Sequence, residues 1–567
     1  MRRLIKRRRI VLLTILLAAF VAAAWLYWNR PRRADLAVYA PADCLVFIES
    51  DDLSNLLTGI DHTEAWQSLA DPLGAPQALV PNRWLLRFAK WTGIGSAETI
   101  LFARSQVAIV LSGAEASQTE SSLTIKPLAT FIIETHTSQS RMKAPLERHI
   151  EELARRVYKN PGLLRKQVDG VDLEEWISED KSHQIVIAFV DTTAILGNDE
   201  SSVLHSIEAH NGKRASLRDA NDFAAARNSS DSLASVFGFV SPAGVKSLLQ
   251  AYAISRGGSS ADAITPARLF ADTFGGLVKS ISWTTRFADG MVEDRCQIAL
   301  PQGLADKLRA GMVPERGVDF TMLRYVPADA YTFSTYQLRD PTTFWNDLNT
   351  AVSSNTDFVG SVAARPILRG LLKPYGIDDP DAFARTVGPH LQTVRFDESS
   401  PSVLIVQTFD RQALKNLMLK RLGQPLKTEQ VQNAEMLTSS SGDFSAAFVD
   451  NCALLGPTEA VRRCLAPAAP ITSKESFRRA RQVIDVARPF TIVSFTTDQR
   501  EGISFVETFS NRERSAFSAN AAGVVQVADK LPFALSVTLL KDSTIEWTSR
   551  SSFGIAGSLV AQFAPEK

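Results

Sequence analysis

Short apolar runs and amphipathic segments alternate along most of the chain. Residues 44–49 (CLVFIE) and 330–336 (AYTFSTY) predict strands, because each run is short, apolar or aromatic, and preceded by a Pro-Ala-Asp turn. Apolar positions at helical spacing in 142–157 and 411–422 predict amphipathic helices. Neighbouring strand segments are often joined by short polar turns, as in 280–300. The pattern therefore predicts an α+β fold with mainly antiparallel sheets and helices packed on one face.

Two short phrases occur twice in the chain, in the same order. Tyr39-Ala-Pro-Ala-Asp43 returns as Tyr325-Val-Pro-Ala-Asp329, and AFVDTTAILG at 188–197 returns as AFVDNCALLG at 447–456. The order is kept while the intervening lengths shrink, which is typical of a duplicated unit with trimmed loops. The sequence therefore predicts two tandem copies of one α+β unit.

The predicted organisation places the first unit at 39–301, a connector rich in Gly and Pro at 302–320, and the second unit at 321–567. Pro fixes φ at a strand entry, and Asp satisfies nearby amides at a turn. The repeated residues are therefore predicted to be structural rather than catalytic. They are Tyr39, Pro41, Asp43, Asp191, Gly197, Tyr325, Pro327, Asp329, Asp450 and Gly456.

The N-terminus carries the signature of a membrane anchor. A basic segment at 1–9 precedes an uncharged run at 10–28, which is long enough to cross a bilayer as a helix and ends in aromatic residues. The excess of basic residues before the run predicts a cytoplasmic N-terminus and an extracytoplasmic bulk, with 29–38 as a juxtamembrane linker. The alternative is a signal peptide that is cleaved near 21–24. Either case places the protein at the inner membrane or in the periplasm.

The charge balance changes once the anchor is set aside. Residues 1–33 hold nine Lys or Arg and no Asp or Glu, which leaves 53 basic against 61 acidic residues and a net charge of −8. A mildly acidic ectodomain does not favour nucleic acid as a partner.

Four cysteines are present, and an oxidising compartment would permit disulfides. Cys44 and Cys296 fall in the first predicted unit, and Cys452 and Cys464 fall in the second, so one pair per unit is conceivable. The alternative is four buried free thiols.

No strong catalytic, cofactor or metal motif appears. The chain has no phosphate-binding glycine loop and no Gly-x-Ser-x-Gly elbow. Asp191 and Asp450 recur and so raise a ligand hypothesis, but an Asp at a hairpin turn more often bonds local amides. We therefore predict no catalytic residue, no cofactor and no metal.

Trp66, Trp84 and Trp91 lie close together in one apolar region. They are consistent with an exposed groove for a partner or a lipid, although such a cluster more often belongs to a core.

The chain resembles a bacterial family that is known as a domain of unknown function. Its members share an N-terminal anchor and an extracytoplasmic region that opens with a Tyr-x-Pro-Ala-Asp-type phrase before a strand. Tyr39, Pro41, Ala42 and Asp43 carry the resemblance and recur from Tyr325 onwards. The resemblance implies an anchored extracytoplasmic protein and assigns no catalytic residue.

Three functions remain open from the sequence. The leading hypothesis is a non-enzymatic, membrane-tethered protein that binds or scaffolds envelope proteins and contacts the bilayer through 10–28. The second is a carrier of an apolar ligand, such as a lipid, in a cavity between sheet and helices. The third is a hydrolase whose site is assembled from distant residues.

Overall fold

The computed structural model describes residues 33–562, except 76–104, 119–122, 137, 258–270, 273, 355–369, 371, 425, 498 and 509–520. The anchor predicted at 10–28 lies outside the described residues, as do Trp84 and Trp91. Within the described part, none of the helices has both the length and the apolar character that a membrane span requires.

In the part of the chain that the structure describes, twenty strands form one antiparallel sheet. The first ten strands are β1 Val46–Ser50, β2 Gln106–Gln118, β3 Leu123–Glu134, β4 Gly162–Val168, β5 Val171–Ile177, β6 Gln184–Val190, β7 Thr193–Gly197, β8 Val236–Val240, β9 Ser280–Ala288 and β10 Met291–Ala299. The second ten are β11 Thr332–Gln337, β12 Val387–Arg395, β13 Val403–Thr408, β14 Lys427–Val431, β15 Ala434–Thr438, β16 Phe444–Val449, β17 Cys452–Pro457, β18 Ile492–Thr496, β19 Ala534–Lys541 and β20 Thr544–Ser551.

Fifteen α-helices connect the strands of the described part. They are α1 Leu53–Asp61, α2 Glu64–Leu73, α3 Gln139–Tyr158, α4 Glu200–His210, α5 Asn221–Asn228, α6 Pro242–Gly257, α7 Gln302–Met312, α8 Pro341–Ser354, α9 Pro380–Thr386, α10 Arg411–Leu422, α11 Thr458–Leu465, α12 Glu475–Gln482, α13 Gln499–Thr508, α14 Ala521–Ala528 and α15 Gly554–Gln562. The prediction of a mixed α+β fold with mainly antiparallel strands is confirmed.

The strand order reads the same way in both halves of the sheet. In the N-terminal half it is β4-β5-β6-β7-β3-β2-β1-β8-β9-β10. In the C-terminal half it is β14-β15-β16-β17-β13-β12-β11-β18-β19-β20. The two halves meet where β10 pairs with β20. Strands β4 and β14 are therefore the two ends of the described sheet.

Helices cover both faces of the sheet, so the prediction of helices on one face is wrong. Val403 and Ile405 of β13 contact the core under α11 and α12, and we call this side the clasp face. Leu404 and Val406 point the other way, into a core with α9 and α10 on what we call the cavity face. A strand buried on both sides has a continuous apolar run instead of alternation, as in 403–406.

The halves also share a helical core on the cavity face. Trp66 of α2 has no exposed surface and packs against Phe505 of α13 and Phe553, which precedes α15. The Glu64 carboxylate pairs with Arg479 at 2.7 Å across the same junction. Trp66 therefore belongs to a core between the halves rather than to an exposed groove.

Three local features differ from the sequence predictions. Residues 302–312 of the predicted connector form helix α7, which packs on α8. The linker was predicted to extend to residue 38, but residues 36–39 form a buried 3-10 turn that belongs to the folded body. Two strand pairs, β4–β5 and β14–β15, were absent from the sequence predictions.

Candidate functional site

Each Tyr-x-Pro-Ala-Asp phrase lies on the clasp face, just before a strand, and contacts a segment that is distant in the sequence. In the N-terminal half, the Tyr39 ring stacks on His210 at 4.3 Å between ring centroids. The Tyr39 hydroxyl lies 3.0 Å from the hydroxyl of Thr193, within hydrogen-bond distance. The backbone amide of Ala42 donates to the carbonyl of Ala215 at 2.9 Å. We call this arrangement the clasp.

Equivalent contacts occur in the C-terminal half. The amide of Ala328 donates to the carbonyl of Ala469 at 2.8 Å, and an isolated bridge joins Pro327 to Pro470 as Pro41 is joined to Ser216. Asp329 pairs with Arg463, as Asp43 pairs with Arg214 at 2.6 Å. Beside Tyr325, the neighbouring Arg324 pairs with Asp450 at 3.1 Å. These residues stabilise the fold and lie away from the cavities described below.

Asp191 and Asp450 occupy hairpin turns. Their φ angles are 50° and 49°, a left-handed conformation that Asp tolerates in tight hairpin turns. The paired glycines have a packing role, because a Cβ at Gly197 would lie 2.6 Å from Val203 and one at Gly456 would lie 3.2 Å from Ser402. Among the residues that the structure describes, no group of His, Cys, Asp and Glu is arranged to hold a metal ion.

The four cysteines are free thiols in the structure. Cys44 and Cys464 are buried in the clasp-face cores, where desolvation raises the pKa of each thiol to about 12. Burial also raises the pKa of Cys296 to about 11 and that of Cys452 above its ordinary value. Such thiols stay protonated near neutral pH and are poor nucleophiles.

An apolar cavity of about 460 Å³ lies on the cavity face of the C-terminal half. Its floor is formed by β11, β12, β13 and β18, and its roof by α8, α9 and the 3-10 turn Lys373–Tyr375. The lining residues that matter most here are Phe344, Trp345, Leu348, Phe383, Ala384 and Leu391. The volume falls within the range of about 300–1,000 Å³ that is typical of small-molecule sites.

Polar groups in this lining are bonded within the protein. The Trp345 indole Nε1 donates to Asp381 at 3.0 Å, and the Tyr375 hydroxyl is 2.6 Å from that of Ser402. Burial raises the pKa of Tyr375, which keeps its hydroxyl neutral. The cavity therefore presents mainly carbon atoms to an occupant, with Tyr336 and Thr393 at its polar margin.

The cavity is partly open to solvent, so water contacts its walls when no ligand is bound. Water gains little there, because the apolar lining offers it few hydrogen-bond partners. An apolar occupant would therefore stabilise the folded C-terminal half.

None of the residues that line this cavity was predicted to be a site residue. One signal was available, because Tyr336, Phe344, Trp345, Tyr375 and Phe383 make the stretch 336–383 rich in aromatic residues. Aromatic residues at helical spacing usually indicate a core. Only the spacing between α8, α9 and the sheet distinguishes a filled core from a cavity.

No family model matches the chain, and no curated protein matches it. Among solved structures, TP0453 in its crystal form I is 8% identical with a TM-score of 0.23, over 47% of this chain and 79% of that chain. The duplicated taurocyamine kinase from Schistosoma mansoni with bound transition state analog components is 9% identical with a TM-score of 0.13, over 94% of this chain and 84% of that chain. Neither TM-score is high enough to carry an argument about fold or function.

Proposed function

We propose that this protein is a non-enzymatic, membrane-tethered extracytoplasmic carrier that holds the apolar chain of a lipid-like ligand in the apolar cavity. The single observation that carries the proposal is the cavity of about 460 Å³ between the sheet and the helices α8 and α9, with a carbon-rich lining. Each methylene that enters such a site contributes about 0.8 kcal/mol, so a chain of eight carbons gains about 6 kcal/mol before the costs of association.

The position of the folded body supports a role at the bilayer. If 10–28 spans the membrane, five residues separate the span from Ala34. The backbone of Ala34 is tied to the sheet through Gln106, whose side chain bonds its amide at 2.7 Å and its carbonyl at 3.1 Å. Five extended residues reach about 17 Å. The proposed tether would therefore hold the body within reach of membrane lipid.

We also propose that the two halves arose by duplication of one unit. The matching strand orders and the matching clasp contacts support this proposal. The part of the N-terminal half that corresponds to α8 and α9 includes 76–104, which lies outside the described residues. The carrier proposal therefore rests on the C-terminal half.

The experiment is a titration of the full-length chain, held in amphipol, with a fatty acid that carries a dansyl group at its far end. The proposal predicts a saturable rise in dansyl fluorescence with one site per chain, reversed by unlabelled palmitic acid. Unsaturable binding, or binding that palmitic acid leaves unchanged, would contradict it.

A second candidate function, the docking of an envelope protein, is favoured by strand β4. In the described part of the sheet β4 pairs on one side only, with β5. Leu163 and Leu164 point to opposite faces of the sheet, yet 46% and 47% of their surfaces are exposed, so neither face is covered there. An open edge of this kind accepts a further strand.

The docking candidate predicts that crosslinking in intact membranes recovers a defined envelope protein, and that Leu163→Asp abolishes its recovery. Thr428→Asp on β14, at the other end of the sheet, is the matched control and should leave recovery unchanged. Equal recovery by both variants would exclude the β4 edge.

A further inference from the structure

A row of polar side chains crosses seven neighbouring strands on the cavity face. Each member is directly opposite the next in the sheet register, so all of them project from the same face. In order from β12 to β9, the members of this hydroxyl row are Thr393, Ser334, Ser494, Ser536, Ser549, Asp294 and Thr285. The hydroxyls of Ser334 and Ser494 are 2.7 Å apart. A sheet face that is covered by helices is usually apolar. A continuous polar row on such a face therefore indicates that these side chains bind a polar ligand.

A second cavity, of about 580 Å³, lies over this row. We call it the hydroxyl cavity. Helix α13 and the start of α15 form its opposite side. Seven hydroxyl side chains line it, namely Ser494, Thr496, Ser504, Ser536, Ser549, Ser551 and Ser558. Phe505, Trp547 and Phe553 add aromatic rings to the lining, and Ala534, Leu535 and Ile555 add further apolar surface.

The charge of the lining selects the class of ligand. None of the described residues that line the hydroxyl cavity is Lys, Arg or His, so an anionic group would find no cationic partner. Asp294 is the acidic member and is 1% exposed. Its two carboxyl oxygens already accept hydrogen bonds, from Thr285 at 2.5 Å and from the amide of Ile555 at 2.8 Å.

Asp294 is also poorly suited to neutralise a cation. Desolvation raises the pKa of its carboxyl, which favours the neutral form. Several hydroxyls of the lining already bond within the protein, as Ser494 does with Ser334 at 2.7 Å and Thr496 with Thr332 at 2.9 Å. A hydroxyl that makes one such bond can still take part in a further hydrogen bond, because it has one proton and two lone pairs. A set of such groups beside aromatic rings matches a ligand that has many hydroxyls and an apolar ring face, as a hexose has.

The two cavities are neighbours on one sheet face. Thr393 lines the apolar cavity and Ser494 lines the hydroxyl cavity, with Ser334 between them in the register. Two strand spacings separate these residues, about 10 Å. Along β18, Ile492 of the apolar cavity and Ser494 are two positions apart, about 7 Å. One amphipathic molecule can therefore reach both.

We propose that the hydroxyl cavity binds an uncharged polyhydroxylated group of hexose size, which is the headgroup of the ligand whose chain lies in the apolar cavity. The assignment of the chain rests on the proposed function, whereas the assignment of the headgroup rests on the hydroxyl row. The ligand class is thus a neutral glycolipid.

The test compares four probes by isothermal titration calorimetry on the full-length chain in amphipol, each below its micellar concentration. They are octyl β-glucoside, octanol, octanoate and methyl β-glucoside. The proposal predicts that octyl β-glucoside binds most tightly. The double variant Ser536→Ala/Ser549→Ala should weaken octyl β-glucoside about tenfold and leave octanol unchanged.

Ser282→Ala is the matched control, because Ser282 is a buried strand serine on the clasp face. Its affinity for octyl β-glucoside should equal that of the wild type. Thr496→Val, which conserves side-chain shape, should also weaken octyl β-glucoside. An unchanged octanol affinity in each variant separates a loss of headgroup contacts from a folding defect.

The outcomes separate the two proposals. If octanol binds but the Ser and Thr variants bind octyl β-glucoside as the wild type does, the headgroup proposal is overturned and the carrier proposal stands. If methyl β-glucoside binds as tightly as octyl β-glucoside, the site takes a free saccharide and the glycolipid proposal is overturned. If octanol does not bind, the carrier proposal fails.

Discussion

The substitution Ala384→Leu tests whether the apolar cavity is the binding site. Ala384 lies on α9, is 7% exposed and lines the cavity, so leucine adds three carbon atoms to the space that the ligand would occupy. If these atoms displace about three ligand methylenes at about 0.8 kcal/mol each, binding weakens by about 2.4 kcal/mol, or roughly 60-fold in Kd.

The same change has the opposite effect on the ligand-free protein. Leucine fills part of an empty apolar cavity, so the free energy of unfolding should rise by up to about 2 kcal/mol. Weaker binding together with a more stable fold cannot be explained by misfolding. Dansyl fatty-acid titration measures the first quantity, and urea unfolding of delipidated protein measures the second.

Ala310→Leu is the matched control, because Ala310 is exposed on α7 and both changes keep a strong helix former. It should change neither quantity by more than a few tenths of a kcal/mol. A Kd for Ala384→Leu within twofold of the wild type would refute the assignment of the cavity as the site.

Three further predictions concern stability, each measured by urea unfolding. Burial raises the pKa of Asp294 in the folded protein. The protonated carboxyl therefore stabilises the fold at low pH, and this contribution is lost as the pH rises from about 3.9, the ordinary pKa, through the raised pKa. Asp294→Asn does not titrate, so its stability relative to the wild type should increase across that pH window. Thr193→Val removes a hydrogen bond of 2.7 Å to the buried Glu134 carboxylate and should cost about 1.5–3 kcal/mol. Gly238→Ala places a Cβ about 2.1 Å from the Trp283 ring and should cost about 1–3 kcal/mol.

Each stability prediction has a clear contrary result. Parallel pH profiles for Asp294→Asn and the wild type would show that this carboxyl does not titrate differently on folding. An unchanged midpoint for Thr193→Val would show that Glu134 is satisfied without it. Gly303→Ala is the control for Gly238, because its Cβ meets open space on α7, and it should stabilise by about 0.5–1 kcal/mol.

Local patterns in the sequence were enough for most of the elements. The 411–422 segment forms helix α10 over those same residues, and Asp191 and Asp450 occupy the expected hairpin turns. Both predictions depend on residues close in sequence, where periodicity and turn chemistry act directly.

Strand β4 was missed for a physical reason. It is an edge strand with mostly exposed residues, so it lacks the alternation that marks a half-buried strand. A signal was present at Asp169-Gly170, whose φ angles of 53° and 81° belong to a tight hairpin turn. The small and polar residues from Gly113 onwards also hid strand structure, because a register shift near Gly113 lets β2 continue to Gln118.

The two cavities were beyond reach of a single sequence. The hydroxyl row joins Asp294 to Ser549 and Ser494 to Ser334, pairs that are 255 and 160 residues apart. A row of this kind exists only once the strand register is known, since a shift of one residue would send each side chain to the opposite face.

Native mass spectrometry of the full-length chain, released from its own membranes without added lipid, tests the central claim most directly. We predict a species that carries one amphipathic adduct per chain, and a strongly reduced adduct in Ala384→Leu but not in Ala310→Leu. A folded chain that is recovered only at its own mass, or an adduct of equal abundance in both variants, would contradict the carrier proposal.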